Sequence, residues 1–172
     1  MPAPLLTAPR LQLRAPRRDD ARRLALLADD LDVTRMTSRM PHPYTLEHAQ
    51  LFLARVEEAD PSREVTWIIA DDEGPQGVLG FFTDDGLAPE IGYWLGRPSW
   101  GRGYAGEAVG VALAWADTQW RKPCLLARCF TDNPASMRVL EKAGFLPTGV
   151  QRSCPSLARG GDAMSREYVR LA

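Results

Sequence analysis

A chain of 172 residues with 45% hydrophobic and 25% charged residues has the make-up of a single soluble domain, residues 1–172, able to bury about 70% of its unfolded surface. A net charge of −1 argues against a broad nucleic-acid-binding surface, and no apolar run nears the roughly 20 residues that span a bilayer. Cys124, Cys129 and Cys154 show no metal-like or CxxC spacing, and His42 and His48 lack a second ligand in a recognisable pattern, so neither a disulfide framework nor a metal site is expected.

RLQLRA (10–15) alternates and predicts a first strand. Asp19 or Asp20 can cap a helix to about Leu31, with Leu24, Leu27, Ala28 and Leu31 on one face. MPHPY then breaks the chain, and Thr45 caps a second helix whose Ala49, Phe52, Leu53 and Val56 follow i, i+3, i+4, i+7 spacing. VTWIIA (65–70), GVLGFFT (77–83) and PEIGYWL (89–95) read as an antiparallel meander with acidic, Gly-bearing turns. A helix over 104–119 and a buried strand, CLLARCF (124–130), follow. Asn133-Pro134 starts a further helix, which Gly144 ends. Strands near 145–150 and 164–171 close the chain, and the small-residue stretch SCPSLARGGDA reads as a mobile lid or a disordered loop. The order β α α β β β α β α β β predicts a mixed α/β sheet with a right-handed parallel crossover between its fourth and fifth strands.

Charge is unevenly placed: Glu57 to Glu90 holds ten acidic residues and one Arg, whereas Arg10 to Arg39 is basic. Acidic pairs Asp71-Asp72 and Asp84-Asp85 lie in expected turns, as a solvated surface or as a rim that attracts a cationic amine. The start, MPAPLLTAPRLQLR, lacks a long apolar leader segment, and a reducing cytoplasm is the expected location.

The most informative stretch is SWGRGYAGEA (99–108), with Gly101, Gly103 and Gly106 at the entrance of an apolar helix. A glycine-rich loop entering a helix leaves backbone N–H groups unpaired at the positive end of the helix dipole, an anion site suited to phosphate. Positive φ alone could also call for these glycines. No Walker string is present. GxGxxG occurs formally, but after a fourth strand in a meander, with Asp117 still inside the helix, which disfavours a dinucleotide-binding unit.

Trp100-Gly101-Arg102-Gly103-Tyr104-Ala105 resembles the pyrophosphate loop of the GCN5-related N-acetyltransferase (GNAT) superfamily, with Trp100 where Gln or Arg is usual. That form is common in the branch resembling ribosomal-protein-alanine N-acetyltransferases (RimJ/RimL-like). LTAPRLQLRAPRRDDA (6–21), PEIGYWL and NPASMRVLEKAGF (133–145) resemble further segments of that branch, in the right order. The resemblance implies a mostly antiparallel sheet whose fourth and fifth strands splay around the pantetheine arm of acetyl-CoA, with flanking helices. Backbone groups of Trp94, Leu95 and Gly96 are then expected to pair with the arm. Gly101, Arg102, Gly103, Tyr104, Ala105 and Gly106 would hold the pyrophosphate, and Asn133 the pantetheine or the sulfur end.

The acceptor implied is a primary amine, a peptide N-terminus or a small amine, attacking directly in a ternary complex. Glu90 is the expected base, acting directly or through water, and a backbone N–H near Tyr93 the oxyanion donor. Many relatives place a Tyr in the helix after the fifth strand to serve the leaving thiolate; Leu140 stands there, and Ser136 is the expected substitute. A homodimer is an expectation carried by the resemblance alone. The alternative reading is a non-catalytic acetyl-CoA- or CoA-binding module.

Overall fold

The computed structural model describes residues 3–83 and 88–171, so the expected Asp84-Asp85 turn lies outside the described residues. Two short strands open the chain, β1 (Leu6–Thr7) and β2 (Gln12–Arg14), with β1 ahead of the expected first strand. Asp20 does not cap the first helix with its side chain. It accepts from the Arg17 N–H (2.8 Å) and from both terminal nitrogens of Arg14 (2.9 and 2.6 Å), one turn before α1 (Ala21–Ala28) begins. That helix also stops short of Leu31. Asp29 leaves helical geometry, and Asp30 accepts from the Asp32 N–H to cap a separate single turn, α2 (Leu31–Thr34). Aspartates compete for nearby backbone donors in this way, and two in a row divide the expected helix. Thr45 caps α3 (Leu46–Glu58) as expected.

The meander is present as β3 (Glu64–Asp71), β4 (Gly74–Phe82) and β5 (Glu90–Leu95). Next comes α4 (Tyr104–Trp115), whose last expected turn widens into a π-type turn over 116–120. Then follow β6 (Cys124–Phe130), α5 (Pro134–Lys142), β7 (Leu146–Ser156) and β8 (Gly161–Leu171). The sheet runs β1-β2-β3-β4-β5-β6-β8-β7. Among the described residues only β5 and β6 pair in parallel, so the expected fourth and fifth strands are the crossover pair.

Alternation along the strands divides the core between the two faces. Leu79, Phe81, Ile91, Ala127 and Tyr168 pack against α4 and α5, with Trp67, Phe81, Trp115 and Trp120 in ring contact. Ile68, Ala70 and Val78 pack against α1 and α3. Burying each large side chain of this kind stabilises by about 1.5–3 kcal/mol.

The stretch expected as a lid is instead the end of the β7–β8 hairpin. A short helical turn at 157–159 and Gly160 (φ +67°) connect its strands. Its tip is tied to the α2–α3 connection: the Ser156 hydroxyl donates to the Thr37 carbonyl (3.0 Å), the Leu157 N–H to Ser38 (3.2 Å) and Arg159 to Arg35 (2.7 Å).

Candidate active site

The site is a gap in the sheet. β5 and β6 pair only at Glu90↔Leu126 and Ile91↔Ala127, and no pair beyond Ile91 joins them among the described residues. On its other edge β5 stays in register with β4 as far as Leu95↔Gly77. The Gly96 N–H donates to the Gln76 carbonyl (2.9 Å), which makes Leu95↔Gly77 a pair that does not bond to itself. Alternation then turns the N–H and C=O of Gly92 and Trp94 toward β4, and those of Tyr93 and Leu95 into the gap. Of the three residues expected to offer backbone groups there, only Leu95 does so, and Tyr93 joins it. The Leu95 carbonyl already accepts from the Trp100 indole N–H (2.8 Å). Gly96 answers a packing need, since a Cβ would sit 2.6 Å from Leu27 Cδ2.

The glycine-rich loop lies at the Leu95 end of this gap. Gly101 and Gly103 have φ of +70° and +78°, where a side chain is strained. Gly106 lies inside α4 with open space where a Cβ would be, so neither backbone nor neighbours require a glycine there. Gly103 is the N-cap of α4 and has no side chain to offer, so the first-turn N–H groups of Tyr104, Ala105 and Gly106 receive no side-chain cap.

Beneath the loop is a buried polar network that no local motif announced. The Tyr104 hydroxyl donates to Asp71 (3.0 Å), Gln76 Nε2 donates to the same carboxylate (2.8 Å), and Ser99 donates to Gln76 Oε1 (2.6 Å). The Asp71 side chain is 2% exposed, so the expected solvated turn does not begin here. Burial pulls its pKa up, but hydrogen bonds from Gln76 and Tyr104 outweigh that and hold it below the usual carboxylate value. The guanidinium groups of Arg10 (5.0 Å) and Arg102 (4.4 Å) both lie over the Tyr104 ring. Arg10 also donates to Glu107 and to the Arg102 carbonyl (2.8 Å). Part of the expected acidic rim is paired as well, with Glu57 on Arg18, Glu64 on Arg55 and Glu90 on Arg128.

Two candidate reacting groups approach the gap from opposite faces. Alternation places Glu90 and Gly92 with Trp94 on the α1–α3 face, where the Glu90 carboxylate accepts from Arg128 Nε (2.8 Å). Ser136 stands in the first turn of α5 on the other face, and its oxygen lies 2.8 Å from the Tyr93 hydroxyl. Asn133 caps that helix, its Oδ1 accepting from the Ser136 N–H (3.1 Å). Leu140 is 1% exposed and belongs to the core. Cys129 is also buried, which pushes its thiol up to about 11 and makes it a poor nucleophile. Among the described residues no three His, Cys, Asp or Glu side chains come together as a metal site, and no helix is long and apolar enough to cross a membrane.

This donor set fits a coenzyme A group: outward strand amides for an amide-bearing arm, then uncapped helix N–H groups for its phosphates. A model of the acetyltransferase (GNAT) domain matches residues 10–146. An uncharacterized N-acetyltransferase of Bacillus subtilis (strain 168), YoaA, is 30% identical over 157 residues, 87% of this chain and 86% of its own. RimJ of Mycobacterium smegmatis, solved with a CoA disulfide, superposes with a TM-score of 0.84 at 20% identity, covering 100% of this chain and 88% of that one. RimL, a ribosomal-protein alpha-N-acetyltransferase solved with coenzyme A, gives 0.84 at 19% identity and 98% of each chain. With the family match running from β2 through the gap and the helix beyond it, the chain belongs to the GNAT family of acetyltransferases.

Proposed function

We propose that the protein is an N-acetyltransferase that takes acetyl from acetyl-CoA and delivers it to a primary amine, a protein N-terminal α-amine or a small amine. The carrying observation is the gap beyond Ile91, lined by the outward backbone of Tyr93 and Leu95 and continuous with the uncapped start of α4. Bound there, acetyl-CoA supplies an activated acyl group as a thioester. The first-turn N–H groups of α4 bind its phosphates, and the strand amides orient its arm. Amine and donor then meet from opposite faces, and holding them so is worth up to roughly 7–11 kcal/mol.

Glu90 takes the proton of the attacking amine, directly or through a water. An α-amino group, with a pKa near 8, is already partly neutral at physiological pH, unlike a lysine near 10.4. The Tyr93 N–H faces the gap, where charge develops on the carbonyl oxygen. Ser136 supplies the proton that the leaving sulfur needs. The names of RimJ and RimL favour a protein N-terminus as acceptor.

The test begins with thermal unfolding in the presence of acetyl-CoA, CoA, NAD and ATP, each alone. A ligand at 100 times its Kd stabilises by about 2.7 kcal/mol, a shift of roughly 5–10 °C for a chain of this size. Acetyl-CoA and CoA are expected to give it, and NAD and ATP are not. Thiol release that depends on an added peptide or small amine then separates a transferase from a module that only binds CoA.

A further inference from the structure

Tyr93 is half-buried and carries a hydroxyl that the mechanism above leaves without a task. Its ring packs among the core residues of the α4–α5 face, and burial pushes its pKa up to about 12, although the hydrogen bond to Ser136 opposes this. The phenol therefore stays neutral and keeps its proton. A phenol packed against the core still takes an acceptor within reach. Ser136 Oγ lies at 2.8 Å, and the Ser136 carbonyl is more distant at 3.4 Å. When Tyr93 donates to Ser136 Oγ, the serine hydrogen must point elsewhere. The serine N–H is already held by Asn133 Oδ1, so its backbone is fixed on one side and its hydroxyl on the other.

We propose that Tyr93 is a positioning residue for the acetyl transfer assigned above, and that it aims the Ser136 proton at the departing sulfur. This rests on the transferase reading. In the step, the amine nitrogen bonds to the acetyl carbon and gives its proton to Glu90. The C–S bond breaks with its electron pair going to sulfur, and sulfur takes the Ser136 proton. The serine oxygen regains a proton from solvent as CoA leaves, while Tyr93 keeps its own throughout. A serine in a first helical turn otherwise hydrogen-bonds its own backbone, so without Tyr93 its hydroxyl is free to turn away from the sulfur. This arrangement takes over the task that many relatives give to a tyrosine at the position of Leu140.

The experiment is a double-mutant cycle on kcat with Tyr93→Phe, Ser136→Ala and the two combined, with the KM for acetyl-CoA and the melting temperature measured alongside. The phenylalanine keeps the ring that packs in the core. Each single variant is expected to lower kcat by about tenfold or more with little change in KM, and the double variant to be no slower than Ser136→Ala. Additive losses, an unchanged kcat in Tyr93→Phe, or a loss carried by KM or the melting temperature instead of kcat would overturn the role. If the unmodified protein binds acetyl-CoA yet acetylates no amine, the transferase reading fails first and this inference with it.

Discussion

At its Leu95 end β5 meets a loop whose shape is set by backbone, whereas at its Glu90 end it meets a surface set by ion pairs. The loop needs two residues at positive φ, ends in an uncapped helix start, and rests on a carboxylate that is 2% exposed. The other end is organised by Glu90–Arg128, a pair whose side chains are 14% and 36% exposed. Buried networks are costly to break because each orphaned group keeps its full desolvation penalty. Partly exposed pairs contribute little and can be exchanged. On the reading proposed above, the half that takes the donor is held in one shape by its backbone and buried network, while the half beside Glu90 can exchange its ion pair at small cost in stability.

Breaking the backbone of the donor half should have the largest effect. Gly103→Val puts a β-branched residue at φ +78°, with its Cβ 3.4 Å from Arg10. A strain of about 1–3 kcal/mol should weaken CoA binding roughly tenfold or more, read by calorimetric titration. Gly106→Ala sharpens the comparison because it has no strain to relieve. It should stabilise the free protein by up to about 1 kcal/mol and still weaken CoA binding. Stability and affinity rising together would mean that nothing passes over that turn.

Asp71→Asn comes next. An amide cannot accept from Gln76, Tyr104 and the Glu73 N–H as the carboxylate does. The expected loss is about 1–3 kcal/mol of stability, with a raised KM for acetyl-CoA and kcat nearly kept. Glu90→Gln probes the opposite end. It should barely move the melting temperature but shift the pH–rate profile upward, because the amine must then lose its proton unaided; an unmoved profile would remove Glu90 as base.

The smallest effect concerns Asp30. Its hydrogen bonds from Arg97 hold its pKa down to about 2, against an unfolded value near 3.9. A depressed pKa contributes stability above about pH 4 that is lost as pH falls toward 2. Asp30→Asn should therefore melt slightly below the unmodified protein at neutral pH, with the gap closing between pH 4 and 2.

Local rules made the elements legible wherever one interaction dominated. Alternation marked β3 to β5, Asn133-Pro134 marked the start of α5, and the spacing of Gly101 and Gly103 marked a loop that needs positive φ. They failed where interactions compete. Asp29-Asp30 cut a helix whose apolar face looked continuous, and the small residues of 152–163 gave no sign of a hairpin held by carbonyls of Arg35, Thr37 and Ser38. The chain by itself determined its family, its sheet and the place of its glycine-rich loop, because those follow from residues close together along it. Only the tertiary structure decided which backbone groups of β5 face the gap, that Asp71 lies beneath the loop, and that Tyr93 meets Ser136. Those facts depend on register and on contacts between segments far apart in the chain, which no local periodicity encodes.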